Sequence, residues 1–93
     1  MESYKENNRK NYRIEIKRSA QKEIQSLPKK EAQRIVAKIQ QLSLDPRGAD
    51  AKKLSALEQY RVRVGQYRIL YEINDAVLLI LIVRVANRKE VYR

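Results

Sequence analysis

Residues 76 to 85 read AVLLILIVRV, and all but one of these positions are apolar. A run without alternation has no face to give to water. It therefore predicts a central strand covered on both sides. It is far too short to cross a bilayer as a helix, which takes roughly 20 apolar residues. The layers that cover it must come from the rest of a 93-residue chain, enough for one domain with a modest core.

The preceding segments alternate as half-buried strands do. YRVRV (60 to 64) and YRILYEI (67 to 73) flank Gly65-Gln66, which fits a two-residue turn with Gly in first place. Asn74-Asp75 fits a second tight turn. Near the start, YRIEIK (12 to 17) sets Tyr12, Ile14 and Ile16 against Arg13, Glu15 and Lys17, a further strand pattern. Ser19 reads as the N-cap of a short helix carrying Ala20, Glu23, Ile24 and Leu27. Pro28 interrupts that helix and suits the first turn of the next. There Ala32, Ile35, Val36, Ile39 and Leu42 recur at helical spacing, and DPRG (45 to 48) ends the pattern. AKKLSALEQ (51 to 59) reads as a connector without a strong period. The expected order is β-α-α-β-β-β, an α+β fold with two N-terminal helices packed on one face of a small antiparallel sheet. Residues 1 to 11 are polar and charged and read as a flexible arm, leaving 12 to 93 as a single domain.

The two turns also predict a register. Across Gly65-Gln66, Tyr60 pairs with Tyr71, Val62 with Ile69, Arg63 with Arg68 and Val64 with Tyr67. One face is then apolar and meets the helices, while the other carries Arg61, Arg63, Arg68, Leu70 and Glu72. Directly opposed like charges cost a few tenths to about 1 kcal/mol. Such a cluster is either a set of arginines splayed into water or an anion site whose guanidinium forks await phosphate oxygens. Across Asn74-Asp75, Leu70 is expected opposite Leu79 and Arg68 opposite Leu81. The arginine face would thus have an uncovered apolar half of Leu70, Leu79 and Leu81, the mark of a protein partner.

Composition narrows the chemistry. The 21 Lys+Arg against 11 Asp+Glu leave a net charge of +10, which points to a polyanionic partner such as nucleic acid. Cys and His are both absent, which removes disulfides, thiolate nucleophiles, the commonest general base and the commonest metal ligand. MESYKENNRKN is polar throughout, so no signal peptide is expected and the chain reads as cytoplasmic. No cofactor is expected.

The YRVRVGQYRILYEI hairpin, the apolar strand after it and the terminal NRKEVYR together resemble the RelE branch of the RelE/ParE toxin superfamily, from Tyr12 to Tyr92. AKKLSAL also resembles that family's connector. The resemblance implies the toxin of a type II toxin–antitoxin system: a metal-independent endoribonuclease, or mRNA interferase, that cleaves mRNA in the ribosomal A site and halts translation. It implies as partners mRNA, rRNA and a co-encoded acidic, RelB-like antitoxin. Carried over by position, the catalytic residues fall on Arg61, Arg63, Arg68, Arg88 and Tyr92. The chain departs from the pattern at Asn87, where many relatives have His. Arg61 and Arg63 stand where some relatives have Lys. Both departures bear on which group accepts a proton.

Lys29, Lys30, Arg34, Lys38, Lys52 and Lys53 read as RNA or rRNA contacts or as solvated surface. The antitoxin is expected near Leu70, Leu79 and Leu81. Two other readings fit the same fold and charge: a ParE-like inhibitor of DNA gyrase, and a non-catalytic module that binds RNA or the ribosome.

Overall fold

The computed structural model describes residues 11–54 and 58–87. In chain order these form β1 (Arg13–Ile16), α1 (Arg18–Gln25), α2 (Lys29–Leu42), β2 (Lys52–Lys53), β3 (Gln59–Val64), β4 (Tyr67–Asn74) and β5 (Leu79–Asn87). The five strands lie in one sheet in the order β1-β5-β4-β3-β2. Strands β2 to β5 pair antiparallel, but β1 runs parallel to β5, with Arg13 beside Leu79 and Ile16 beside Ile82. The sheet is therefore mixed. The apolar strand β5 gains a neighbour on each side, as its unbroken run of apolar residues requires.

The first strand hands directly to the first helix. The Lys17 N–H donates to the Ile82 carbonyl at 3.0 Å, and the Gln21 N–H already donates to the Lys17 carbonyl at 2.8 Å. The helix thus starts at Arg18, and Ser19 lies inside its first turn rather than capping it. Pro28 stands immediately before α2, where its missing N–H costs nothing, and its carbonyl takes the Ala32 N–H at 2.9 Å. Both helices cover one face of the sheet. Ala20, Ile35, Ile39 and Leu42 meet Val62, Ile69, Tyr71, Ile73, Ile80, Ile82 and Val85, all buried. Full burial stabilises by roughly 1.5–3 kcal/mol per large aliphatic side chain. Val36, expected on that stripe, is 41% exposed.

The β3–β4 register is the expected one, and Gly65 takes φ 59° in the turn. The β4–β5 register is not. Asn74 pairs with Leu79 and Glu72 with Leu81, so the connection is a four-residue loop, Asp75 to Leu78, and not a two-residue turn. Asn74 Oδ1 accepts the Ala76 N–H at 3.1 Å, the Leu78 N–H donates to the Asp75 carbonyl at 3.3 Å, and Leu78 sits at φ 52°. The apolar run from Ala76 to Leu78 belongs to this loop, and β5 starts only at Leu79. Because the pairing moved by an even number of residues, Leu79 and Leu81 stay on the arginine face. Beyond them a bulge intervenes. Tyr71 pairs with Ile82 but Leu70 with Arg84, which leaves Val83 as the extra residue and returns Val85 to the core. The connector contains an unexpected edge strand, β2, in which Lys52 lies opposite Arg61. The expected arm, save Asn11, lies outside the described residues, as do Arg88 and Tyr92.

Candidate functional site: the open face of the sheet

The face turned away from both helices carries the arginines. Directly opposed residues in an antiparallel pair point the same way, so Lys52, Arg61 and Leu70 form one row across β2, β3 and β4. The next row along holds Arg63, Arg68 and Ala86. Exposure divides the arginines sharply. Arg63 is exposed, Arg61 is half-buried and Arg68 is only 4% exposed. Arg68 lies on the middle strand, flanked by β3 and β5. Alternation alone put it on an open face and could not register its depth. Arg63 on β3 and Lys52 on the edge strand β2 present their charges to solvent.

The other half of this face is mixed. A groove of about 460 Å³ runs between the start of β3 and the β4–β5 loop, lined by Gln59, Glu72, Asn74, Leu79 and Leu81 among others. The Gln59 side-chain amide donates to Glu72 at 3.1 Å along its wall. Leu70, Leu79 and Leu81 are each half-buried here, and Leu54, at the β2 edge of the same face, is 47% exposed. Basic residues thus lie toward the β3–β4 turn, leucines across the middle, and Glu72 toward the β4–β5 loop.

The remaining basic positions behave differently from one another. Lys29, Lys30 and Arg34 are exposed on α2. Lys38 is drawn into an ion pair with Asp50 at 2.6 Å, which holds the Asp50 carboxyl below the usual carboxylate range. Lys53 pairs with Glu58 at 3.3 Å.

Among the arginines that the sequence did not single out, one organises a loop. Arg47, in the DPRG loop, donates to Glu58 at 2.8 Å, to Asp75 at 3.0 and 3.3 Å and to the Tyr60 hydroxyl at 3.0 Å. Its guanidinium also lies 5.4 Å from the Tyr60 ring centre. The Tyr12 hydroxyl donates to the same Asp75 at 2.5 Å, and that bond raises the Tyr12 pKa. Arg47 keeps the Glu58 carboxyl below its ordinary range. Tyr71, stacked on Tyr60 with ring centres 5.9 Å apart, donates to the Pro46 carbonyl at 2.7 Å, and burial pushes its pKa up. This network ties the α2–β2 loop to the start of β3 and to the β4–β5 loop, at one end of the sheet. It is structural in kind, and the only trace of it in the sequence is a charged residue held between Pro46 and Gly48. Among the described residues, no group of three or more carboxylates, histidines or cysteines is clustered closely enough to hold a metal ion.

Two helices on one face of a mixed five-stranded sheet, with a basic opposite face, define the class as a small α+β domain suited to an anionic partner. The structure matches that of RelE in the RelE–RelB complex from Pyrococcus horikoshii OT3 with a TM-score of 0.74 at 27% identity, covering 84% of this chain and 96% of that one. It matches the toxin–antitoxin complex RelBE2 from Mycobacterium tuberculosis with a TM-score of 0.75 at 27% identity, over 84% and 99% of the two chains. The RelB–RelE complex from Methanococcus jannaschii is similar at 30% identity with a TM-score of 0.67, over 84% and 94%. The profile of the family described as the ParE toxin of type II toxin–antitoxin systems, parDE, matches residues 14–92. A search of curated proteins gave no match. The chain belongs to this family and is a type II toxin of the RelE/ParE superfamily.

Proposed function

We propose that the protein is a ribosome-dependent endoribonuclease that cleaves mRNA in the A site, and that the open face carries the chemistry. The observation behind this reading is the pair of rows on that face, Lys52 with Arg61 and Arg63 with Arg68, turned away from both helices. RNA supplies its own nucleophile. In-line attack of a 2′-hydroxyl on the adjacent phosphorus forms a 2′,3′-cyclic phosphate as the bond to the departing 5′-oxygen breaks. The enzyme must align the strand and neutralise charge that grows on the phosphorane. Arg63 and Arg61 reach the phosphate, and the buried Arg68 adds its field from behind, strengthened where water is excluded. An arginine does not act as the base at neutral pH, since it stays protonated. Proton transfer therefore falls to groups beyond these three. Arg88 and Tyr92 complete the proposed set, and Lys29, Lys30, Arg34 and Lys52 supply contacts to RNA.

The partner proposed for the leucines of the open face is an acidic, RelB-like antitoxin segment. Support comes from the solved relatives, in which RelE is bound to RelB. Mixing with this segment would cover Leu70, Leu79 and Leu81 and neutralise the arginines together. The work of such a toxin places it in the cytoplasm. Among the described residues, no helix is long and apolar enough to cross a membrane.

Primer extension on mRNA after brief induction tests the reading. Codon-registered breaks are expected, and Arg63→Ala should lower cleavage by about 100-fold or more. Intact mRNA would refute the nuclease. The family's parDE description favours one second reading, inhibition of DNA gyrase. That reading predicts a loss of supercoiling activity with mRNA left whole.

A further inference from the structure

The tip of the β3–β4 hairpin has an arginine on each side of it. Arg63 leaves the tip on the open face. From the helix face, Arg34 of α2 reaches the turn itself. A Cβ placed on Gly65 would lie 3.3 and 3.4 Å from the two Arg34 Nη atoms and 3.6 Å from its Cζ. The Nη edge of the guanidinium therefore lies beside the one residue of the tip that has no side chain to displace it. Its only ion pair among the described residues is the long, 3.8 Å contact to Glu31 one turn earlier, and the side chain is still 57% exposed. Lys30 stands four residues before Arg34, exposed on the same side of α2.

An exposed arginine ordinarily samples many rotamers, and holding it for a ligand costs free energy at the moment of binding. Here the guanidinium already rests beside the turn. Gly65 serves two purposes: it adopts φ 59°, and it leaves room for the guanidinium. Arg34 and Arg63 flank the tip, and Lys30 adds a further positive charge one turn back along α2.

We infer that the β3–β4 tip is a phosphodiester clamp, in which Arg34 packed on Gly65 holds an RNA backbone phosphate next to the one that faces Arg61 and Arg63. The inference rests on the nuclease reading only in naming RNA as the polyanion. Arg34 is here a positioning residue. It sits on the opposite side of the tip from the reacting phosphate and fixes the strand that crosses the turn.

The test measures binding of the intact chain to a short single-stranded 2′-O-methyl RNA, which cannot be cleaved, across a range of KCl concentrations. Arg34→Ala should weaken binding about tenfold at low salt and reduce the salt slope by about one. Arg13→Ala removes the same charge from the far edge of the sheet, where Arg13 is 65% exposed beside Glu15, and should change neither. Equal losses for the two variants would mean that net charge alone is felt, and would overturn the clamp. An unchanged slope in Arg34→Ala would overturn it as well. Cleavage of unmodified mRNA on ribosomes separates this from the function proposed above. If the wild type leaves mRNA intact but RNA binding still depends on Arg34, the clamp stands and the nuclease falls. If Arg63→Ala abolishes cleavage but Arg34→Ala binds as the wild type does, the nuclease stands and the clamp falls.

Discussion

The hairpin between β3 and β4 turns in two residues and places Gly65 at φ 59°, whereas the one between β4 and β5 takes four and places Leu78 at φ 52°. Glycine enters the left-handed region without penalty, but a leucine there costs of order 1–2 kcal/mol. The second loop needs support from outside itself. Asp75 receives Tyr12 and Arg47, the Leu78 side chain packs against the core, and its carbonyl accepts the Arg13 N–H at 2.8 Å. The first hairpin carries its geometry locally and keeps its surface available for Arg63 and Arg34. The second borrows its geometry from three other parts of the chain. The proposed chemistry sits at the self-sufficient end.

That contrast can be broken from either side. The largest effect is expected for Gly65→Val. A β-branched residue at positive φ, with Arg34 in its way, should destabilise by about 3 kcal/mol, measured by urea unfolding. Arg47→Ala should cost about 2 kcal/mol, since it leaves Asp75 and Glu58 without their shared cation while solvent screens part of the loss. At about 4–8 °C per kcal/mol for a domain of this size, its Tm should fall by roughly 8–16 °C. Hydrogen exchange should then rise first in the β4–β5 loop, and uniform loosening would contradict the borrowed geometry. Leu78→Gly relieves backbone strain but removes packing, so its net effect should stay within about 1 kcal/mol.

The smallest effects come with pH. Asp50 and Glu58 have folded pKa values below their ordinary 3.8 and 4.5, so their contribution is present above that range and lost as pH falls through it. Tyr12 and Tyr71 are raised from 10.0, so theirs is present below pH 10 and lost as pH climbs beyond it. Arg47→Ala should flatten the acid limb measured by thermal melts between pH 3 and 7, and an unaltered limb would count against the network.

The β3–β4 register could be read from the chain because a two-residue turn with glycine leaves one pairing that keeps Tyr60, Val62, Ile69 and Tyr71 on a single face. The β4–β5 register could not. Asn74-Asp75 has the letters of a tight turn, but here Asn74 bonds the Ala76 N–H and the loop continues through apolar residues that resemble strand. β2 was hidden because two residues carry no period, and the parallel seat of β1 because alternation says nothing of direction. At the candidate site, face was legible and depth was not. The pattern placed Arg61, Arg63 and Arg68 together, but it carries no measure of depth, and Arg68 is 4% exposed while Arg63 is open. Arg47 lay in a loop, where no period marks a residue as important.

The pairing of β1 with β5 also governs when this fold can exist. β1 is the first described strand to leave the ribosome and β5 the last, yet each lies beside the other in the finished sheet. Until β5 emerges, β1 has no partner and β4 lacks one of its two neighbours. Contacts of such long sequence separation form late. A chain whose synthesis stops before β5 can still pair β3 with β4, but it lacks the strand that joins this hairpin to β1 and completes the sheet.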